Sequence, residues 1–341
     1  MKKVIVTGGL GYIGSHTVVA LSEVGYDVVI IDDLSNSHEG IWSRIQSLSS
    51  TSVAWERVDL SERTLLLSTM KRHSDAVGII HFAASKAVGE SVERPLHYYH
   101  NNLCSLINLL QAMAAQDIPR LIFSSSCTVY GEPLSLPVTE ESPIQQAESP
   151  YGNTKQIGEE IIRDAVRGEE INFKAISLRY FNPVGAHSSG MIGELPIGTP
   201  ANLLPYVMQT ASGERDHLRI WGNDYPTPDG TAIRDYIHVM DLAEAHVKAL
   251  HHIDGMSADM DCFNLGTGKG TSVLEMLSSA ERAVGSKIAH RIYDRREGDI
   301  VKIYADTRKA SSELRWNATR SLDDMTASAW KWMQSLKDKP I

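Results

Sequence analysis

Short apolar runs alternate with longer stretches whose apolar residues recur every three or four positions. Val4-Ile5-Val6 and Val28–Ile31 read as fully buried parallel strands, and the stretch between them, through about Val24, reads as a helix. The alternation continues. A polar loop at Leu34–Glu39 leads to a helix at Ile41–Leu48, a strand at Val53–Val58, a helix at Leu65–Arg72 and a strand at Ala76–His81. Leu96–Gln116 carries Leu103, Ile107, Leu110 and Met113 at helical spacing. Arg120–Ser124 is predicted as the fifth strand, Ile157–Val166 as part of another helix, and Phe173–Leu178 as the sixth strand. This order predicts an α/β fold, a doubly wound parallel sheet of the Rossmann type.

From Asn182 the texture changes. Gly, Pro and Asn become frequent, and Tyr225-Pro226-Thr227-Pro228-Asp229-Gly230 is a firm turn signal. Short strands (Leu218–Trp221, Ile288–Tyr293) and helices (Leu203–Ala211, Leu274–Val284, Leu322–Leu336) predict a smaller mixed α/β C-terminal lobe. A helix at Val239–His251 and an apolar strand at Cys262–Leu265 read as a return to the sheet. The expected division is therefore 1–181 with 235–265 for the sheet domain, and 182–234 with 266–341 for the lobe. Ligand is expected in the cleft between them.

Composition narrows the class. Of 341 residues, 42% are hydrophobic and 22% charged, which suits a folded soluble domain. A net charge of −9 with no basic block argues against a nucleic-acid partner. Met1-Lys2-Lys3 runs straight into a core strand and no apolar run reaches membrane length, so neither a leader nor a membrane span is expected. Cys104, Cys127 and Cys262 are too scattered for a disulfide framework or a zinc site, and no metal is expected. A reducing compartment, the cytoplasm, follows.

The candidate chemistry gathers where the predicted strands end. Gly8, Gly11 and Gly14 follow the first strand at spacing G-x-x-G-x-x-G and open the first helix. Small residues there permit a tight turn and close approach of backbone to a pyrophosphate, which the helix N-terminus favours. Asp32, closing the second strand, can accept both ribose hydroxyls of an adenosine and would repel a 2′-phosphate, so the cofactor read from these residues is NAD. Asp59, after the third strand, either meets an adenine amino group or is a surface carboxylate. Further on, Ser124-Ser125-Ser126 follows strand five, and Tyr151 and Lys155 lie one turn apart on the next helix. A phenol has a pKa near 10, so its anion costs about 4 kcal/mol at neutral pH. A neighbouring ammonium and a positive nicotinamide would lower that cost, with Ser126 relaying the proton.

These residues together resemble the extended short-chain dehydrogenase/reductase family. Thr7–His16, His81-Phe82-Ala83, Lys86–Ser91, Arg179–His187, Gly222–Thr227, Arg234–His238, Asn264–Gly268 and the block Arg296–Asp299 resemble, within it, the UDP-glucose 4-epimerases. The likeness covers essentially the whole chain. It implies oxidation of a UDP-hexose at carbon 4, rotation of the ketone and reduction from the other face. Tyr151 would be the base, Lys155 its partner and ribose ligand, and Ser126 the bridge. The implied cofactor contacts are Gly8, Gly11, Tyr12, Ile13, Gly14, Asp32, Asp33, Asn36, Asp59, Leu60, Phe82, Ala83, Ala84, Lys86, Asn101, Ser124, Tyr151, Lys155 and Tyr180. The implied substrate contacts are Ser126, Tyr151, Phe181, Asn182, Asn202, Leu203, Trp221, Arg234, Tyr236, Arg296, Asp299 and Ile303.

Three departures from the resemblance stand out. Cys127 and Ala201 replace an alanine and an asparagine usual in the family. Ile303 stands where glucose- and galactose-restricted members carry tyrosine, so UDP-N-acetylglucosamine is a candidate second substrate. A sugar-nucleotide 4,6-dehydratase would need an acid pair before Val129-Tyr130-Gly131, and Cys127-Thr128 supplies none. The resemblance also implies a homodimer built from the helices near Leu96–Gln116 and Pro150–Gly168.

Overall fold

The structure, a computed structural model, describes residues 2–168, 172–296 and 299–341. Of the Arg296–Asp299 block, Glu297 and Gly298 lie outside the described residues. The first half runs β1 (Lys3–Thr7), α1 (Tyr12–Glu23), β2 (Asp27–Ile31), α2 (Gly40–Leu48), β3 (Val53–Glu56), α3 (Arg63–Arg72) and β4 (Ala76–His81). There follow α4 (Val88–Glu93), α5 (Pro95–Tyr99), α6 (Ser105–Ala115), β5 (Arg120–Ser124), α7 (Pro150–Arg167) and β6 (Lys174–Tyr180). The second half runs β7 (Asn182–Val184), α8 (Leu203–Ala211), β8 (Leu218–Trp221), β9 (Ile233–Arg234), β10 (Tyr236–His238), α9 (Val239–His252) and β11 (Met260–Leu265). It closes with β12 (Thr271–Ser272), α10 (Val273–Val284), β13 (His290–Tyr293), β14 (Lys302–Ile303), α11 (Arg308–Glu313) and α12 (Leu322–Asp338).

Seven strands form one parallel sheet in the order β11-β6-β5-β4-β1-β2-β3. Alternate residues of each strand feed opposite layers. Val4 and Val6, Val28 and Ile30 join Ile80, Ile122 and Ile176 beneath α1 and α9. Ile5, Val29, Ile31, Ile79, Leu121 and Phe123 face Leu66 and Met70 of α3, the apolar side of α6, and Ile162 of α7. Burial of each such side chain stabilises the fold by about 1.5–3 kcal/mol, which is why the strands read as unbroken apolar runs. The fold is the doubly wound, Rossmann-type sheet expected. β11 pairs with β6 and α9 packs on α1, so this late segment builds onto the sheet. α8, α10 and α12 close a separate core around Met276, Leu204, Ile220 and Met325.

Several expected boundaries move. Strand three stops at Glu56 rather than Val58, and strand six runs Lys174–Tyr180 rather than Phe173–Leu178. The helix expected over Leu96–Gln116 is α5 and α6 joined by one wide π-type turn at His100–Cys104. That turn places Asn102 where its amide donates to Thr154 Oγ1 at 3.0 Å and accepts from the Ser85 N–H at 2.8 Å. Strand Ile288–Tyr293 begins only at His290, and α11 and the two- or three-residue strands β7, β9, β10, β12 and β14 were not expected.

Four buried histidines are locked in the neutral form. The Nδ1–H groups of His16 and His246 face the carbonyls of Tyr12 and Leu242 at 2.7 and 2.8 Å, and each Nε2 has no partner. Burial pushes His16 and His81 down to about 3, and His238 and His246 down to about 4. An unfolded histidine titrates near 6.5. Stability from this source is therefore complete above pH 6.5 and is lost as pH falls towards 4, by roughly 1 kcal/mol per pH unit for each ring held neutral. Urea midpoints should drop clearly between pH 7 and pH 5. A flat profile over that range contradicts the burial argument.

Candidate active site

The glycine turn is shaped by contact. Gly8 sits at φ +68°, and a Cβ on it would lie 2.8 Å from the Ala83 nitrogen. A Cβ on Gly14 would lie 2.1 Å from the Gly8 carbonyl oxygen, so only glycine lets α1 start this close to β1. Gly11 caps α1 with extended backbone, and neither a capping side chain nor an acidic residue occupies its first turn. Its N–H groups thus remain available to an anion. Ile13 packs against the core beside this turn. Such a cradle, closed to any side chain, fits a dinucleotide pyrophosphate.

Asp32 is buried at the end of β2. Its carboxylate accepts from the N–H of Leu10 at 3.0 Å, the N–H of Leu34 at 2.9 Å and Ser37 Oγ at 2.9 Å. Burial raises its pKa and these three donors oppose the rise. Asp33 is turned onto Ser35, Asn36 is exposed, and Asp59 accepts from the Ser61 N–H at 2.8 Å beside buried Leu60. Phe82, Ala83 and Ala84 continue from the end of β4, half-buried. Asn101, in the π-type turn, donates to Ser85 Oγ at 3.2 Å.

The reacting group forms where β5 meets α7. Ser149 caps α7, accepting from the Gly152 N–H at 3.2 Å with Pro150 in the first turn, and so fixes where the helix begins. A Cβ on Gly158 would stand 3.0 Å from Phe123, so α7 lies hard against β5. Tyr151 and Lys155 are both buried on that inner side. Lys155 donates to the Ser124 carbonyl at 2.7 Å, and its Nζ stands 5.9 Å from the Tyr151 ring centre. Ser124 Oγ lies 2.6 Å from the Tyr180 hydroxyl. Ser126 is buried and heads the tight turn Cys127–Tyr130, accepting from the Thr128 N–H at 3.2 Å.

Burial sets the electrostatics. It drives the Tyr151 phenol well above its usual value, with the Ser126 hydroxyl working the other way. It pulls Lys155 down to about 8, opposed by the Glu159 carboxylate. The ammonium expected to favour the phenolate donates to the Ser124 carbonyl and stays 5.9 Å from the Tyr151 ring centre. Cys127 is likewise pushed up, to about 12, chiefly by burial, so its thiol stays protonated.

The predicted substrate residues fall into several local groups. Arg234 donates to the Ile300 carbonyl at 2.6 Å and approaches Asp299 at 3.4 Å, while Arg296 reaches the same carboxylate at 3.1 Å. Asp299 thus bridges two guanidiniums. The Arg296 guanidinium also lies 5.9 Å from the Trp221 ring, which packs on Tyr293. Ile303 pairs with Arg234 across β14 and β9 and is buried in a cluster with Phe181, Val129 and Tyr130. Asn182 pairs with buried Tyr236 across β7 and β10. Asn202 and Leu203 stand at the start of α8. Lys86 lies near Tyr12, its Nζ 6.0 Å from that ring, and Tyr12 donates to the Gly185 carbonyl at 2.6 Å.

Sequence reasoning missed several supporting groups. Glu159 receives two bonds from Arg179, at 2.6 and 2.9 Å, and one from Ser125 at 2.6 Å, all buried behind Lys155. Asp235 binds the Thr267, Gly268 and Ala305 N–H groups at 2.8–3.1 Å, which fixes the turn after β11. Glu194 joins Lys86 and Asn202. No spacing signal marks any of them, because each partner lies 20 or more residues away, except Asn202.

The chain belongs to the NAD dependent epimerase/dehydratase family, whose model matches residues 4–266. Within that class, it is 50% identical to UDP-glucose 4-epimerase 2 of Arabidopsis thaliana over 335 residues, 97% of this chain and 95% of the relative. The structure of the Bifidobacterium longum UDP-glucose 4-epimerase in complex with NAD+ and UDP superposes with a TM-score of 0.93 at 44% identity, covering 99% of both chains. The UDP-Glc/GlcNAc 4-epimerase of Campylobacter jejuni gives a TM-score of 0.84 at 33% identity, over 98% of this chain and 100% of that one.

Proposed function

We propose that this chain is an enzyme that interconverts UDP-glucose and UDP-galactose, using NAD as a retained cofactor. The carrying observation is the buried Tyr151–Lys155–Ser126 group together with two arginines paired on Asp299, in a chain about half identical to UDP-glucose 4-epimerases over nearly its full length. Residues 1–181 with 235–265 form the NAD-binding part and 182–234 with 266–341 the UDP-sugar part.

Carbon 4 of a hexose carries no acidic proton, so inversion requires removal and return of hydrogen with its electron pair. NAD, when bound, supplies the acceptor and later the donor of that hydride. Tyr151 takes the hydroxyl proton, through or beside Ser126, and returns it in the second half. Lys155 is anchored by the Ser124 carbonyl, and Glu159 behind it favours its charged form. Gly8, Gly11, Tyr12, Ile13 and Gly14 hold the pyrophosphate side, and Asp32, Asp33 and Asn36 the adenosine ribose. Asp59 and Leu60 border the adenine; Phe82, Ala83, Ala84, Lys86, Asn101, Ser124 and Tyr180 line the remainder. Arg234 and Arg296 meet the diphosphate, which a planar guanidinium matches. Asn182, Asn202, Leu203, Trp221, Tyr236 and Asp299 hold the nucleotide, leaving the sugar to turn beside Phe181 and Ile303.

Purified protein given UDP-galactose should form UDP-glucose without added NAD. Tyr151→Phe should cut that rate by about a hundred- to ten-thousand-fold with the fold intact by circular dichroism. A 4-keto-6-deoxy product, or full activity in the variant, overturns the reading.

The buried isoleucine at position 303 also supports use of N-acetylated UDP-hexoses. Ile303→Tyr should lower turnover of UDP-N-acetylglucosamine relative to UDP-glucose by roughly tenfold or more. An unchanged ratio removes Ile303 as the determinant.

The protein acts as a homodimer in the cytoplasm. Val88, Val92 and Leu96 recur every four residues beside α7 and are exposed, Leu96 at 82%. Cys104, Cys127 and Cys262 are free thiols, as a reducing compartment allows. Light scattering should report twice the mass of one chain, and Leu96→Lys should shift it towards one; a wild-type monomer at micromolar protein ends the dimer proposal.

A further inference from the structure

Glu194 touches a residue assigned to the dinucleotide and one assigned to the nucleotide-sugar at once. A single oxygen, Oε1, accepts from Asn202 Nδ2 at 2.7 Å and lies 3.5 Å from Lys86 Nζ. Asn202 heads α8 on the nucleotide-sugar side, and Lys86 follows β4 on the dinucleotide side, beside Tyr12. The Glu194 side chain is only 10% exposed. Its charge also contributes to the rise of the Tyr12 phenol, after burial.

The frame around it is stiff. Trp332 Nε1 of α12 donates to the Glu194 backbone carbonyl at 2.9 Å. A Cβ on Gly193 would lie 2.5 Å from that indole, so the glycine is what lets Trp332 close on the loop. Arg44 of α2 stacks on the same ring at 5.3 Å and donates to the Met191 carbonyl at 3.0 Å. The backbone is pinned, so only the Glu194 side chain is left to respond to its two donors.

We infer that Glu194 is a positioning residue that couples the hold on the dinucleotide to occupancy of the nucleotide-sugar side. The inference rests on the assignment of Lys86 and Asn202 given above. A ligand that orders Asn202 orders the carboxylate bonded to it, and with it the ammonium that shares its oxygen. Linkage makes the effect reciprocal: UDP tightens NAD by the factor by which NAD tightens UDP.

Two variants separate the arms. Glu194→Gln keeps an oxygen for the Asn202 amide and removes the charge opposite Lys86. Glu194→Ala removes both. The readouts are NAD retained per chain after gel filtration, with and without UDP, and UDP affinity by calorimetry.

In the unaltered enzyme UDP should slow NAD loss by roughly fivefold or more. In Glu194→Ala that ratio should fall to near one, with UDP bound about tenfold more weakly. In Glu194→Gln the ratio should also fall to near one, and UDP affinity of the NAD-loaded chain should fall by the same factor, as linkage requires, with less loss than in Glu194→Ala because Asn202 keeps its acceptor. A UDP effect on NAD retention that is unchanged in either variant overturns the inference. Lys86→Ala and Asn202→Ala are the controls. If they leave NAD retention and UDP affinity untouched, the residue assignments fail rather than the coupling. Should Glu194→Ala not fold, the ratio in Glu194→Gln decides alone.

Discussion

Everything in the cleft depends on burial of a phenol and an ammonium side by side, where β5 runs into α7. Water is excluded from both, and exclusion favours the neutral form of each: the Tyr151 phenol is pushed up, and Lys155 is pulled down to about 8. The ammonium donates once, to the Ser124 carbonyl, and keeps two further N–H groups. Burial thus holds the phenol in its neutral form. Positive charge brought into the cleft with the dinucleotide has an outsized effect there, because a dry site screens it weakly.

The groups packed behind Lys155 explain why such a costly arrangement persists. Glu159, itself buried, lies behind Lys155 and is neutralised by a bidentate Arg179 and a serine hydroxyl. That ion pair is satisfied on all sides, the condition under which a buried pair is tolerated at all. Tyr130 bonds both Arg179 and Asn264, at 3.0 and 2.7 Å, and so ties the turn after Ser126 to β11. The chemistry at β5 is thus braced from the edge strand of the sheet.

Much of this was legible beforehand, for definable reasons. Strands buried on both faces must be continuous apolar runs, so β1, β2, β4, β5 and β11 announced themselves. Gly8 and Gly14 were readable because the clashes they avoid are local, and Tyr151 with Lys155 because one helical turn is a fixed offset. The strands β9, β12 and β14 are too short to show any period. The π-type turn at His100–Cys104 exists to bring Asn102 to Ser85 and Thr154, contacts that no window of neighbouring residues contains. Glu159 and Asp235 look like ordinary charges in the chain and become structural only through partners distant in sequence.

The chain passes between the sheet and the smaller lobe more than once: out after β6, back near β10 and α9, and out again after β11. The short parallel pair β7–β10 sits at the first two of these passages and stitches the outgoing strand to the returning one. Any closure of one part on the other has to bend all of these connections together, with the β7–β10 ladder lying along its axis.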